Sequence, residues 1–486
     1  MQHPPAIHPP DAELRREFTL WSAAAVAFAF ISPIVALYSI FGLVLKSAGP
    51  AGWWAFPIVF AGQILVVLSF AELSSRWPFE GSVYQWARRL APRAVGWMTG
   101  WTYAWTLIIS TAAVSYSAAI FVGPTLGLEI VDPVALLLVA LAILAVVTFL
   151  NSAGRRWLKY LVAGALVAEL VGSVLIAAYL LIFQRSQSFD VLFQNFSAGE
   201  VSPGYLWSGF GAAVAFVGWS FVGFEAASSI AEEVKGPARA VPKAMIMSLV
   251  MVATVVTFSA LSIILATPDM QAAVSGGSAD PVVETILARL GADMARPLFA
   301  LFVIAFIATL AAVQASASRM IFALARDKAL PGAGILSKLS PKDGLPVAAI
   351  SAVGIAGALV LLTTAWGDVY ATLIGFTVGG FFITFSIVMV CRMIAQLRGR
   401  WTAGPFSLGN ASAPVMIIAT LWAVFEAVNI GWPRAVDQPW YIQYAIPLMF
   451  SVLLIAGTII YFTIRHRIVP PAPEPATSED LALADQ

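Results

Sequence analysis

Twelve long apolar stretches determine what this chain can fold into. A helix needs about 20 apolar residues to cross the hydrocarbon core of a membrane. Strands of an outer-membrane barrel alternate in polarity over about 10 residues, and these stretches are longer and more continuously apolar than that. We therefore predict an all-α integral membrane protein with twelve transmembrane helices, called spans 1 to 12 in chain order. The stretches lie at 18–45, 52–77, 97–123, 133–153, 157–183, 207–232, 240–266, 297–325, 346–364, 369–395, 412–430 and 440–465.

The composition supports this class and narrows the chemistry. Charged residues make up 11% of the 486 residues, whereas a soluble domain carries roughly 25%. The three histidines, His3, His8 and His466, lie near the chain ends, and Cys391 is the single cysteine. We therefore expect no cofactor, no metal cluster and no internal disulfide. The net charge of +1 and the lack of a long basic block make the lipid bilayer the expected partner, and not nucleic acid.

Lysine and arginine fall mainly in alternate loops, which predicts the orientation. Basic loops stay on the cytoplasmic side, so we expect a multi-pass protein of the cell membrane with both termini in the cytoplasm. Residues 1–17 and 466–486 are then cytoplasmic tails, and the proline-rich, acidic end of the second predicts disorder. The loops predicted to be cytoplasmic carry Arg15, Arg16, Arg76, Arg88, Arg89, Arg93, Arg155, Arg156, Lys159, Lys235, Arg239, Lys243, Arg319, Arg326, Lys328, Lys338, Lys342, Arg392, Arg398, Arg400, Arg465 and Arg467, and the others carry Lys46, Arg185, Arg289, Arg296 and Arg434.

Two spans contain residues that interrupt a helix near its middle. Ser32–Pro33 lies within span 1, and Gly218 and Gly223 lie within span 6. Proline removes a helix hydrogen bond and disfavours helix at the preceding residue. A pair of interrupted spans five apart indicates an inverted-repeat transporter, in which half-helix N-termini face an anionic substrate group and unwound carbonyls face a cation. Glycine and proline also serve helix packing, which is the alternative interpretation.

The breaks define a first set of candidate substrate contacts. An α-amino acid offers both an anionic and a cationic group, and backbone groups beside the breaks would bind them. We therefore predict contacts from span 1 and span 6. The residues are Ser32, Ile34 and Val35, and Phe221, Val222 and Gly223.

Four segments of the sequence resemble one transporter family. FVGFEAASSIAEEVKGPARAVPKAM (221–245) resembles the sixth span and following loop of the amino acid–polyamine–organocation transporters, and SRMIFALARDKALP (318–331) resembles the end of their eighth span. AELSSRWPFEGSVYQWARRLAP (71–92) is similar to their second span and first cytoplasmic loop, and GWMTGWTYAW (96–105) to the start of span 3 in the amino acid and choline branch. Many members carry Gly-Ser-Gly in span 1, where this chain has Ile31-Ser32-Pro33.

The resemblance implies a leucine-transporter-type fold. Residues 18–183 (spans 1–5) and 207–395 (spans 6–10) would form two inverted repeats. Residues 412–465 (spans 11 and 12) would lie outside them. Helices 1 and 6 would be the broken ones, in agreement with the breaks in the sequence.

Four glutamates lie within spans and away from the membrane surface, where a charge is costly and indicates function by default. Glu72 lies close to the charged end of span 2, and a pair with Arg76 one turn away is its expected role. Glu426 in span 11 is expected to serve helix packing or an oligomer contact. Glu169 in span 5 occupies the region where many family members carry a lysine, and it would bind a proton, attract a cationic substrate or pair with an arginine.

Glu225 follows the break in span 6 directly. A carboxylate at a helix N-terminus interacts favourably with the helix dipole, which is its structural interpretation. The functional interpretation, which family members with an acid there also imply, is a protonation switch. We therefore predict that Glu225 and Glu169 couple transport to protons.

Two further positions complete the candidate site. Trp219 lies six residues before Glu225, and its ring face would cover a cationic amine; its alternative role is packing. Gln314 is polar at helical spacing with Ser316 and Ser318 in span 8, and either faces the same cavity or mediates helix packing.

Together these features predict a secondary active transporter, and not an enzyme. The substrate would be an amino acid or a related small amine or organocation, moved by alternating access with H⁺ as the coupling ion. An exchanger of two such solutes and a non-transporting sensor of the same fold are the alternatives. No P-loop pattern occurs, which disfavours an ATP-driven pump. The oligomeric state is left open.

Overall fold

The fold is a bundle of membrane-length helices. The computed structural model describes residues 19–79, 81–130, 132–154, 161, 164–196, 203–276, 280–341, 343–366, 369–434 and 438–471. Within these residues every regular element is helical, and twelve helices are long and apolar enough to cross a membrane. The prediction of an all-α protein with twelve transmembrane helices is therefore confirmed. The division into two repeats stays a prediction, and the tail 1–17 lies outside the described residues.

The helix bounds agree with the predicted spans to within a few residues. Span 1 comprises Leu20–Ile31, Pro33–Tyr38 and Phe41–Ala48. Span 6 comprises Leu206–Phe210, Gly211–Val217, Gly218–Phe221 and Ala226–Ser229. The other spans are Ala55–Arg76 (2), Arg93–Leu126 (3), Pro133–Ala153 (4), Gly164–Phe183 (5, described part), Pro237–Ala266 (7), Ala292–Arg326 (8), Val347–Leu361 (9), Tyr370–Leu397 (10), Ser412–Gly431 (11) and Ala445–Ile464 (12).

Short helices connect the spans. Most are single turns, and the longest connect spans 2 and 3 and spans 7 and 8. They are Gly49–Trp54, Ser82–Leu90, Phe189–Phe193, Pro203–Tyr205, Ala231–Glu233, Met270–Ser275, Pro281–Leu290, Ala333–Leu336, Leu362–Trp366, Gly409–Ala411 and Trp440–Gln443.

Some spans are enclosed by the others and some line the outside of the bundle. Spans 3, 6 and 10 are buried over most of their length, whereas spans 4 and 12 are mostly exposed. Their exposed side chains are large and apolar, as at Leu138, Phe149 and Val452. Lipid tails are as apolar as these side chains, so such faces suit a bilayer. The enclosed spans 3, 6 and 10 form the interior in which the candidate site lies.

A buried ion pair joins spans 2, 10 and 11. The carboxylate of Glu72 accepts hydrogen bonds from the Arg392 guanidinium, from the Ser412 hydroxyl (2.8 Å) and from the Leu408 N–H (2.9 Å). Glu72 therefore pairs with span 10, and the expected pair with Arg76 one turn away is not the one that forms. Glu72 faces the interior of the bundle, where it and Arg392 are both fully buried.

The start of the second predicted tail is packed. Ile468 is buried, the Val469 N–H donates to the Asp327 carbonyl (3.0 Å), and the Arg88 guanidinium donates to the Val469 carbonyl (2.7 Å). Disorder does not describe 466–471, because an apolar side chain and two backbone groups are fixed against the end of span 8. Residues 472–486 lie outside the described part of the chain.

Candidate functional site

The break in span 1 lies at Ser32, as the sequence predicts. Ser32 has φ of +50°, and its N–H still reaches the Phe28 carbonyl (2.8 Å). Pro33 begins the second half, Pro33–Tyr38, where its missing N–H costs nothing. The Ser32 hydroxyl oxygen then accepts from the Val35 N–H (3.3 Å). The helix therefore stops and restarts within one residue.

Glu169 of span 5 completes this break. Its carboxylate accepts from the Ile34 N–H (3.1 Å and 3.3 Å to its two oxygens), the Ser32 hydroxyl and the Ser173 hydroxyl (2.9 Å). It is buried. Among the described residues its hydrogen-bond partners are hydroxyls and a backbone N–H, and no arginine is one of them; its role stays a prediction.

Span 5 changes its helical geometry beside Glu169. Leu170–Leu175 form a π-helical segment, and such segments are frequent at functional sites. The Tyr38 hydroxyl donates to the Gly172 carbonyl within it (2.8 Å), and the Ser259 hydroxyl of span 7 donates to the Ser173 carbonyl (3.2 Å). Span 5 is thus bonded to the second half of span 1 through backbone groups that the irregular helix exposes.

At the break in span 6 a carboxylate also accepts from a backbone N–H, and here the carboxylate belongs to the same span. A 3₁₀ turn, Gly218–Phe221, leads to extended Val222, and Gly223 then has φ of +95°. Such a φ strongly favours glycine. The helix restarts at Ala226–Ser229. The Glu225 carboxylate accepts from the Gly223 N–H (3.2 Å) and from the Tyr103 hydroxyl of span 3 (2.9 Å).

The two breaks lie side by side. The Trp219 indole N–H donates to the Val35 carbonyl (3.3 Å), and the Ser220 hydroxyl donates to the Ala36 carbonyl (2.7 Å). On the other side, the Thr309 hydroxyl of span 8 donates to the Ala29 carbonyl just before the break (2.9 Å). Polar groups therefore connect the unwound parts of spans 1 and 6 to each other and to span 8.

A small cavity lies between the breaks. Its volume is about 30 Å³, which is room for about two water molecules. Five aliphatic side chains, three aromatic rings and two hydroxyl-bearing side chains form its walls. The lining residues are Phe30, Ile31, Val35, Ser110, Val114, Trp219, Val222, Thr309, Val313 and Phe381. A solute the size of an amino acid does not fit, so the site would have to widen to admit one.

The predicted contacts divide into three groups. Val35, Trp219 and Val222 line the cavity. Ser32, Ile34, Gly223, Glu169 and Glu225 lie at the breaks, behind the lining. Phe221 and Gln314 lie elsewhere: the Phe221 ring packs on Phe56 and Phe60, and Gln314 bonds to Asn151 and Thr148 of span 4. The role of each in substrate binding stays a prediction.

Seven lining residues were not predicted from the sequence. Phe30 and Ile31 are the residues just before the break, and could have been found by extending the break by one turn. The others come from spans 3, 8 and 10, and are Ser110, Val114, Thr309, Val313 and Phe381. Phe381 reaches the cavity because Gly380 lets span 10 pack directly against Thr106 of span 3. An apolar residue in an apolar span carries no local sign of such a position.

Two polar contacts between spans 6 and 8 lie at the end of the site predicted to be cytoplasmic. We call them the polar seal. Arg319 of span 8 pairs with Glu233 after span 6 (N–O distance 3.2 Å). One turn closer to the cavity, the hydroxyls of Ser229 and Ser316 lie 3.3 Å apart. Spans 6 and 8 are thus joined by polar contacts at two levels between the cavity and the arginine-rich end.

A larger pocket lies at the opposite end. Its volume is about 470 Å³, and its lining includes Lys46, Phe216, Arg434 and Gln443. Phe216 is three residues from Trp219, so about one helical turn of span 6 separates this pocket from the inner cavity. We call this pocket the outer vestibule after the orientation that the loop charges predict; Trp219, which lines the inner cavity, is the cavity residue nearest to Phe216 in span 6.

This arrangement defines a class of protein. Unwound helix segments at membrane depth persist where they line a cavity, and a cavity between two broken helices is the arrangement of secondary transporters. A multi-pass membrane protein with this architecture fits transport better than catalysis.

Sequence comparisons agree with this class. The model of the amino acid permease family matches residues 18–459, and the chain belongs to that family, within the amino acid–polyamine–organocation superfamily. It is 26% identical to amino-acid permease 2 of Neurospora crassa over 96% of this chain and 88% of that protein. It is 27% identical to the branched-chain amino acid permease BcaP of Bacillus subtilis over 86% of each. It is 23% identical to the thiamine transporter thi9 of Schizosaccharomyces pombe over 91% of this chain and 82% of that protein.

Proposed function

We propose that the protein is a proton-coupled symporter for an amino acid or a related small amine or organocation. The observation that supports this most is the small cavity between two broken helices, at each of which a buried glutamate accepts from a backbone N–H. The substrate would occupy an enlarged form of the cavity and reach each side of the membrane in turn. The names of the similar proteins, which cover amino acids and thiamine, support this range of solutes.

The coupling step would use the hydrogen bonds of the two glutamates. An ionised carboxylate only accepts, whereas a protonated one also donates. Glu169 has three donors and Glu225 has two. Taking up a proton turns one acceptor site into a donor and removes the charge that strengthens the bonds the carboxylate accepts, so the contacts across the break would weaken. Protonation would thereby change how span 6 is held to span 3 and how span 1 is held to span 5.

The direct test is uptake into proteoliposomes containing the full chain. A panel of labelled amino acids and amines is supplied with and without an inward proton gradient. We expect uptake that rises with the gradient, and loss of that dependence in Glu225→Gln or Glu169→Gln. Glu426→Gln is the matched control, because Glu426 is also a buried glutamate but lies in span 11 outside the cavity.

Other outcomes favour the alternatives. Uptake that requires internal solute and ignores the gradient would make the protein an exchanger and leave both glutamates structural. Binding of a solute without flux in either direction would make it a sensor.

A further inference from the structure

The first turn after the break in span 1 has no free backbone donor. In broken-helix transporters these donors face the anionic group of the substrate. Here the Ser32 N–H is bonded to Phe28, Pro33 has no N–H, and the Ile34 N–H is bonded to Glu169. The next two N–H groups, of Val35 and Ala36, are bonded to the hydroxyl and the carbonyl of Ser32 (3.3 Å and 2.7 Å). The carboxylate bound by this turn is therefore that of Glu169, and not one from a substrate.

The break in span 6 repeats the feature at one donor, whereas the Val222 and Phe224 N–H groups have no hydrogen-bond partner among the described residues. The Gly223 N–H is bonded to the carboxylate of Glu225, two residues further along the chain. Buried backbone donors require a partner, and at both breaks the chain supplies a glutamate. A substrate carboxylate would have to displace one of these side chains to gain the same hydrogen bonds.

The walls of the cavity suit a cation better than an anion. Phe30, Trp219 and Phe381 present aromatic rings, and the lining drawn from the described residues includes no lysine or arginine. Ile31 in the wall precedes Ser32, which is bonded to Glu169, and Val222 precedes Gly223, which is bonded to Glu225. Each carboxylate is therefore bonded to the residue that follows a wall residue in the chain. Ring faces attract cations, and a further buried carboxylate beside two others is unfavourable.

The basic residues of the outer vestibule do not make the site favour anions over cations. Lys46 lies close enough to Asp280 to interact with it electrostatically. The Arg434 guanidinium donates to the Asn429 side chain and carbonyl and interacts with Glu426. Each of the two cations thus has an acidic neighbour, so the vestibule does not present an unopposed positive field to an entering cation.

We propose that the substrate of this site is an organic cation that lacks a carboxylate, such as a primary amine or a quaternary ammonium compound. The inference rests on the proposed function and narrows it: the ammonium group is recognised by aromatic rings and by the ionised Glu169 carboxylate, which takes the place of the substrate's anionic group, while Glu225 carries the coupling proton. Amino acids of the same side chain are then poor ligands.

The test compares ligands that differ in the carboxylate alone. Thermal unfolding of the purified full-length protein in detergent is followed with lysine against cadaverine, arginine against agmatine, leucine against isoamylamine, and phenylalanine against phenethylamine. Glycine betaine against choline extends the series to quaternary ammonium. We expect at least one carboxylate-free member to stabilise the protein at a concentration about tenfold lower than its partner does, which is a tenfold difference in affinity.

This readout is independent of flux, so it separates the inference from the proposed function. If the protein binds amines but transports none of them, the inference on the substrate stands and the proposed transport function is wrong. Equal or stronger stabilisation by the carboxylate-bearing members overturns the inference, and so does the absence of stabilisation by every amine of the panel.

Variants of Glu169 test the physical reason. Glu169→Ala removes the internal carboxylate and frees the Ile34 N–H and the Ser32 hydroxyl, so the preference for the amine should shrink by about tenfold. Glu169→Gln keeps an acceptor for the Ile34 N–H, so this variant should retain more of the preference for the amine than Glu169→Ala does. Asp132→Asn, at the exposed start of span 4 and outside both pockets, should leave the preference unchanged. An unaltered preference in a folded Glu169→Ala variant would remove Glu169 from the explanation.

Discussion

At the scale of single residues, the breaks depend on backbone conformations that few side chains tolerate. Gly223 has φ of +95°, and a Cβ built there would lie 2.6 Å from the ring of Phe30, which lines the cavity. Gly236 also has a positive φ (+59°), but a Cβ there would have nothing within 4 Å. Alanine substitutions at the two glycines therefore separate the energetic cost of the backbone conformation from the cost of crowding the Phe30 ring.

We predict that Gly223→Ala reduces uptake by about tenfold or more, equivalent to at least about 1.4 kcal/mol in the transport step. Both Gly223→Ala and Gly236→Ala carry a backbone cost of roughly 1–2 kcal/mol, while only the first displaces Phe30. The measurement is initial uptake in proteoliposomes at equal protein content. Equal losses in the two variants would show that crowding of the cavity does not matter.

At the scale of helices, ionic contacts determine which spans move together. Glu72 and Arg392 join span 2 to span 10 with both charges buried, and the Arg392 guanidinium also lies 4.5 Å from the Trp401 ring centroid. Arg319 and Glu233 join span 8 to the end of span 6 nearer the surface, where Arg319 is partly exposed. The first contact is expected to be permanent and the second to open during transport.

Removing one partner of the buried pair should destabilise the protein strongly. Glu72→Ala leaves an uncompensated buried guanidinium, at a cost of about 3–5 kcal/mol. We expect a lower melting temperature for Glu72→Ala and for Arg392→Ala, and substantial recovery in the double variant Glu72→Leu with Arg392→Met, because that variant buries no charge. Arg398→Ala, an exposed residue of the same region, is the control. Single variants as stable as the parent would contradict a buried pair.

The outer pair should control access from the arginine-rich end. In a Cys391→Ser background, the rate at which a thiol reagent labels Ser316→Cys reports opening between spans 6 and 8. We predict faster labelling by about tenfold in Arg319→Gln, because a partly exposed ion pair with a buried carboxylate contributes about 1–2 kcal/mol to closure. The charge-swapped pair Arg319→Glu with Glu233→Arg should restore slow labelling. Arg326→Gln is the matched control. Labelling as fast in that variant as in Arg319→Gln would show that the Arg319–Glu233 pair does not control access.

At the scale of the whole molecule, the second tail is part of the fold at its start. Ile468 is buried, and Val469 is bonded to both Asp327 and Arg88, which also pair with each other. The Tyr84 hydroxyl donates to the same Asp327 carboxylate (3.0 Å). The chain end therefore holds the connection between spans 2 and 3 against the end of span 8.

Truncation tests this anchoring. Ending the chain after Arg467 removes a buried isoleucine, worth roughly 1.5–3 kcal/mol of apolar burial, and the two hydrogen bonds that the Val469 backbone makes to Asp327 and to the Arg88 side chain. We expect a lower melting temperature in detergent. A chain that ends after Pro471 keeps all of these contacts and should melt like the full-length protein. Identical melting of the two truncations would show that the segment contributes nothing to stability.

The sequence by itself determined the number of spans, their bounds, the position of both breaks and the family. These properties are local or nearly so: a length of apolar residues, a proline, two glycines and a motif can each be read without knowing what lies opposite. Glu225 belongs here too, because its position directly after the break in span 6 depends on sequence neighbours alone.

Only the tertiary structure decided which side chains meet. The sequence indicates no partner for Glu169, yet it lies against Ser32 and Ile34, more than 130 residues away in the chain. Glu72 finds Arg392 and not the neighbouring Arg76, and Gln314 bonds to span 4 and not to the cavity. In a chain of almost uniformly apolar helices, hydropathy carries no information on which face of a helix is turned inward. That choice depends on how helices pack at small residues such as Gly380, and the lining of the site follows from it.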